Sequence, residues 1–154
     1  MFNFNKDDEY YTPKEFVALF GKFDYDPATT VEKAKEFDIP NYDTIETDGL
    51  SKDWTIYNKI WLNPPFTLKT CFLKKAVETF KTANNQIYIL FPVGFLTTKK
   101  FHETMKNVGG VLYVPNKRIC FEHGSEGLKT GPGFGSVVLK LGDNKDIVIK
   151  RIVI

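Results

Sequence analysis

The chain has 154 residues, which suits one domain with a single sizeable core. With 42% hydrophobic and 26% charged residues it has the composition of a soluble globular protein, and no run approaches the ~20 apolar residues of a membrane helix, so no membrane partner is expected. A net charge of +2 does not announce nucleic-acid binding, and two cysteines without a CxxC pattern read as reduced thiols of a cytoplasmic protein with no metal site.

The opening MFNFNKDDEYY is too polar for a signal peptide. In YYTPKEFVALFGKF, Thr12 is placed to cap a helix, with Pro13 at its first position and Glu15 completing a capping box. Phe16, Leu19 and Phe20 would share its inner face, and Gly21 would stop it. FDYDPATT reads as a short strand ending in a turn at Asp26-Pro27, TTVEKAKEF as a short helix, and YDTIETDGL as a strand ending at Asp48-Gly49. NKIWLNPPF contains a buried strand, Lys59–Leu62, stopped by two prolines that cannot continue a ladder. The spacing in LKTCFLKKAVETFKTA predicts a helix with Phe72 or Leu73, Ala76, Val77 and Phe80 inward and Lys74, Lys75, Glu78 and Lys81 outward. NQIYILFPVG is a near-continuous apolar strand, TTKKFHETMKNVG a short helix stopped at Gly109, and GVLYVP a strand. SVVLKLGDNKDIVIKRIVI reads as a hairpin turned at Gly142–Lys145.

Helices alternating with apolar strands, without repeat or linker, predict one α/β domain over residues 1–154. Its sheet would be mostly parallel with a C-terminal antiparallel hairpin. In such sheets ligands bind at the carboxyl ends of strands, where Asp26, Asp48, Asn63 and Pro92 would lie. The count of 14 Phe, 7 Tyr and 2 Trp leaves aromatic side chains available for stacking on a flat ligand.

Asn63-Pro64-Pro65-Phe66 can be a stiff connector, but its place after a buried strand suits chemistry on an exocyclic amine. Such a nitrogen is a poor nucleophile because its lone pair is delocalised into the ring. Asn63 Oδ1 and the Pro64 carbonyl could accept both N–H groups and favour a pyramidal nitrogen. The prolines would hold those acceptors in place beforehand, and Phe66 could stack on a base swung out of its duplex.

Asn63-Pro64-Pro65-Phe66 matches the [DNS]PP[YFW] motif of amino-methyltransferases that use S-adenosylmethionine. YYTP (10–13) resembles the Thr-Pro element before their cofactor-binding strand, and FDYDPATT (23–30) a shortened DPxxGxG segment. TDGLSKDW (47–54) fits the acidic element before the catalytic strand, and KRICF (117–121) with GFGSVVLKL (133–141) is similar to the C-terminal Arg-x-x-Phe and Ser-containing strand. In order and spacing the chain resembles the small phage-type DNA N6-adenine methyltransferases, over roughly residues 8–141. The resemblance implies a Rossmann-like class I methyltransferase fold and S-adenosylmethionine as cofactor. It implies as substrate an adenine flipped from double-stranded DNA, with Asn63 to Phe66 as the catalytic loop. Tyr11, Thr12 and Pro13 would line the cofactor site, Asp24 or Asp26 with Pro27 would sit near the methionine moiety, and Asp48, Gly49 and Leu50 near the adenosine. Glu32, Glu46 and Asp48 are alternatives for the ribose carboxylate. DPATT departs from the family in lacking a glycine-rich turn.

Lys99, Lys100, Lys117, Arg118 and Lys129 are the candidate phosphate contacts, the last in the glycine-rich stretch 121–136, which could close over substrate. Neither cysteine follows a proline, so the Pro-Cys nucleophile of cytosine C5 methylation is absent. The same motif could instead serve an RNA adenine or a protein glutamine amide, and a non-catalytic nucleic-acid-binding protein could keep the fold. A homodimer is possible for so small a chain gripping a duplex.

Overall fold

The computed structural model describes residues 10–123, 128–130 and 134–154. In chain order the first elements are β1 (Tyr10–Tyr11), α1 (Lys14–Ala18), β2 (Tyr25–Asp26), α2 (Val31–Glu36), β3 (Asn41–Tyr42) and β4 (Lys59–Leu62). They are followed by α3 (Lys69–Ala83), β5 (Gln86–Pro92), α4 (Lys99–Thr104), β6 (Gly109–Pro115), β7 (Phe121–His123), β8 (Leu128–Thr130), β9 (Ser136–Gly142) and β10 (Ile147–Ile152). Seven strands form one mixed sheet in the order β10-β6-β9-β5-β4-β2-β3. Only β9 is antiparallel to its neighbours, so the sheet is the mostly parallel, Rossmann-like one that the alternation of elements predicts. A small antiparallel sheet, β1-β7-β8, lies apart from it.

The sequences of β4, β5 and β9 are near-continuous apolar runs because both faces of the sheet are covered there. Side chains alternate between two cores along each strand. Ile60, Leu62, Ile87, Ile89 and Phe91 join α3 and α4 residues in one core. Trp61, Tyr88 and Leu90 join Phe16 and Val17 of α1 with Ile119 and Phe121 in the other. β4 has the predicted bounds, with Ile60, Trp61 and Leu62 fully buried. α3 turns Phe72, Leu73, Ala76, Val77 and Phe80 inward, as its spacing requires, and ends where Asn84 adopts a left-handed conformation (φ 51°). No helix among the described residues is long and apolar enough to cross a membrane.

Four local expectations are corrected. Thr12 does not cap α1: the N-cap is Pro13, without a side-chain bond, and the Thr12 hydroxyl is used elsewhere. On α1 the buried pair is Phe16 and Val17, while Leu19, the C-cap of this five-residue helix, is exposed and Phe20 packs against the core just beyond it. Beyond Tyr42 the stretch 43–50 is not a strand. Its strand, β3, is only Asn41–Tyr42, paired in parallel with β2, and Asp48 instead caps a 3-10 turn at Gly49–Ser51.

The C-terminal hairpin is not formed either. β9 and β10 run in opposite directions, but β6 lies between them, antiparallel to β9 and parallel to β10. The connection 143–146 therefore crosses the start of β6, and this needs bare backbone. A Cβ on Gly109 would lie 2.2 Å from Asp146 O and 2.3 Å from Asn144 O. One on Gly110 (φ +148°) would lie 2.0 Å from Lys140 O.

Candidate active site

The carboxyl ends of β2 and β4 open into a cleft of about 900 Å³. One wall is the turn after β4. Pro64 and Pro65 are buried, Pro65 (φ −54°, ψ 139°) starts a 3-10 turn at Phe66–Leu68, and its carbonyl accepts from Leu68 N at 2.9 Å. α3 follows without a break, so the turn is clamped between a buried strand and a long packed helix. Lys69 Nζ donates to the Phe66 carbonyl at 2.8 Å, and the Phe66 ring meets Phe134 edge-on with centroids 5.1 Å apart. Asn63 Nδ2 donates to Thr12 Oγ1 at 2.9 Å, tying the turn to the segment between β1 and α1.

The opposite wall comes from β2. Asp26 ends that strand, 2% exposed, and its Oδ1 accepts from Ala28 N at 3.0 Å. Burial pushes its carboxyl up to about 7, and the Ala28 bond offsets only part of this. This local turn closes DPATT without glycine, while Thr30 Oγ1 caps α2 by accepting from Lys33 N. Another loop comes close against this turn. Gly49 packs against Pro27, where a Cβ would come within 1.9 Å of Pro27 O. The Gly49 loop is pinned in turn: Trp54 Nε1 donates to Gly49 O and Lys75 Nζ to Leu50 O, each at 2.8 Å.

The structure thus brings Tyr11, Thr12, Asp26, Pro27, Asp48, Gly49, Leu50 and Asn63 to Phe66 around one cleft. It does not bring Asp24 or Pro13 there. Asp24 sits at the other end of the strands, with its two oxygens on Asn58 N and Lys59 N. Pro13 caps α1 and its carbonyl accepts from Phe16 N and Val17 N. All three alternatives for the ribose carboxylate, Glu32, Glu46 and Asp48, face the cleft. Glu46 is held below the usual range by a hydrogen bond from the Thr44 hydroxyl, and Asp48 Oδ1 is occupied by Leu50 N at 3.2 Å.

Lys33 also lines the cleft, although no motif in the sequence singles it out. It is buried, paired with Glu36 at 2.8 Å, and lies over the Tyr11 and Phe37 rings. Its signal is position: with Thr30 as cap, Lys33, Ala34 and Phe37 form the inward stripe of α2. Lys99, Lys100, Lys117 and Arg118 are exposed and lie outside the cleft, near the carboxyl ends of β5 and β6. Lys129 belongs to β8, and residues 124–127 and 131–133 of the glycine-rich stretch fall outside the described residues.

Residues 3–145 match the family described as DNA N-6-adenine-methyltransferase (Dam). The chain belongs to this family. Among relatives, the DNA N-6-adenine-methyltransferase of Escherichia phage T1 is 32% identical over 107 residues, which cover 67% of this chain and 43% of that protein. The DNA N-6-adenine-methyltransferase of Haemophilus phage HP1 (strain HP1c1) is 28% identical over 109 residues, covering 71% and 60% respectively. This Dam-family chain therefore spans about half the length of the curated relatives it matches. The matched residues 3–145 contain both walls of the cleft and stop before β10.

Proposed function

We propose that the chain methylates the N6 amine of adenine in DNA, with S-adenosylmethionine as donor. The observation that carries this is the Asn63-Pro64-Pro65-Phe66 turn, held between a buried strand and α3 at the rim of a cleft large enough for a nucleoside-sized ligand. The two names borne by the relatives point the same way.

The donor set suits that ligand. Asp26, buried beside the turn, is a partner for an ammonium or sulfonium cation. Glu46 and Asp48 face the cleft as acceptors for ribose hydroxyls, and Ile45, Leu50 and Phe72 offer apolar surface to a purine. S-adenosylmethionine supplies an electrophilic methyl whose carbon–sulfur bond breaks as the new carbon–nitrogen bond forms. Asn63 Oδ1 and the Pro64 carbonyl accept from the two N–H groups of the adenine amine and aim its lone pair. Phe66, steadied by Phe134 and by the Lys69 bond to its carbonyl, stacks on the flipped base. No strong base is needed, because the methylated, cationic nitrogen gives its proton to water.

The test is transfer of labelled methyl to DNA, RNA and glutamine-containing peptide by wild type and Asn63→Ala. Transfer to adenine in DNA, reduced about 100-fold or more in the variant, is expected for loss of a preorganised polar group. No transfer to DNA by wild type, or equal transfer by the variant, refutes the assignment.

A further inference from the structure

We propose that two copies of this chain join by antiparallel pairing of their β10 strands, about a two-fold axis at Val148. The inference does not rest on the methylation reading.

β10 is the last strand of the seven-stranded sheet, and among the described residues it pairs only with β6. Along a strand, the backbone polar groups of successive residues point to opposite sides. Gly110 N donates to Asp146 O at 3.2 Å and Asn116 N to Ile152 O at 2.9 Å, so the even-numbered residues face β6. The N–H and C=O groups of Ile147, Ile149 and Arg151 therefore point out of the sheet, as a row that another strand can complete. The side chains are uncovered as well. Val148 is 57% exposed and Ile149 67%, and neighbours on a strand point to opposite faces, so β10 is open on both.

Charged residues commonly guard such an edge, and Lys150 and Arg151 fit that role. The order of charges points to a particular partner instead. Asp146-Ile147-Val148-Ile149-Lys150 sets an acid and a base symmetrically about three apolar residues. An antiparallel copy runs through the same stretch backwards, so each Asp146 meets the Lys150 of the second copy. With Val148 on the axis, Val148 meets Val148 on one face, beside the two Asp146–Lys150 pairs. Ile147 meets Ile149 on the other face, and these are residues whose outward backbone groups bond. Moving the axis to Ile149 sets Lys150 against Val148, and moving it to Lys150 sets two ammonium groups together. Arg151 falls opposite Lys145, where the β10 of the second copy has not begun.

This axis stands normal to the sheet, so the carboxyl ends of the two sheets face opposite ways. The cleft lies at β2 and β4, toward the far end of the strand order, so both clefts stay open. Such a dimer does not close on a single duplex.

Six residues make a small interface, so a weak dimer is expected, visible by sedimentation velocity from about 5 to about 200 µM. Asp146→Lys and Lys150→Asp should each weaken it about tenfold or more, because two attractive pairs become repulsive. Mixed in equal amounts, the two variants should associate within about threefold of the wild-type affinity, since acid again faces base. Ile149→Pro removes an N–H that β6 does not use and should give a folded monomer, checked by its melting temperature. A wild type that stays monomeric at the highest concentration, a mixture that does not recover, or a dimer untouched by Ile149→Pro overturns the proposal. If Ile149→Pro fails to fold, the mixture of charge variants decides.

Discussion

Asp24 and Asp26 show what a residue's surroundings add to its identity. Both flank Tyr25, and the sequence offers either as a ligand contact. The register Tyr25↔Ile60 separates them: Asp24 clasps the start of β4, whereas Asp26 reaches the cleft at the other end. Burial raises the Asp26 carboxyl from its ordinary 3.8 to about 7. In the unfolded chain it ionises near the ordinary value, so between these two pH values the folded state holds a proton that the unfolded state has lost. Its contribution to stability is thus most favourable below about pH 4, falls as pH rises to 7, and is level above that. Asp26→Asn should remove this slope and raise the melting temperature at pH 8 more than at pH 5. A bound cation would draw Asp26 into its charged form. Donor affinity should therefore tighten about tenfold from pH 6 to pH 8 in wild type and stay flat in Asp26→Asn. Calorimetry at both pH values checks this, and parallel behaviour of the two proteins would remove Asp26 from the donor site.

Elements differ in how much of themselves the sequence displays. β4, β5 and α3 are legible because burial on both faces, or helical spacing over four turns, leaves one consistent pattern. β3 is not, since two residues carry no periodicity and Asp48-Gly49 imitates a strand end. The supposed hairpin misleads for another reason. The turn signal at Gly142–Lys145 is genuine, and β10 does run antiparallel to β9, but nothing local says that β6 slips between them. The clue lies at the far side of the crossing, in Gly109-Gly110, which reads equally well as a helix stop. Gly110→Ala adds a Cβ 2.0 Å from Lys140 O at φ +148°. It should cost more than about 3 kcal/mol, because backbone strain and a clash with sheet backbone act together. Gly94→Ala, with nothing within 4 Å of the added Cβ, should stay within about 0.5 kcal/mol of wild type. Denaturant unfolding of both variants compares the two, and a mild Gly110→Ala would mean that the β6–β9 pairing can shift to admit a side chain.

At the scale of the whole molecule, the sheet order divides the labour. The half built from β2, β3 and β4 carries the cleft, and the half built from β5, β9 and β6 carries Lys99, Lys100, Lys117 and Arg118 at its carboxyl end. The Asn63 turn stands where the two meet. Phe66 leans on Phe134, two residues before β9. In the proposed reaction the donor would occupy the first half while the DNA backbone lies along the second. The two kinds of binding should then separate on mutation. Lys117 and Arg118 are exposed and make no ion pair among the described residues, so each is available to a phosphate. Removing one cation from a phosphate lowers the slope of log affinity against log salt by about one unit. Replacing both by Gln should lower the slope for duplex DNA by about two and weaken binding alike across sequences, with the S-adenosylmethionine affinity unchanged. Fluorescence anisotropy from low to high salt measures the slope, and an unaltered slope would place the DNA on another face. A fall in donor affinity in the same variant would instead mean that the halves are coupled through the Phe66–Phe134 contact. The hydrogen bond from Lys69 to the Phe66 carbonyl gives that coupling a path, since α3 begins there and packs beneath both halves of the sheet.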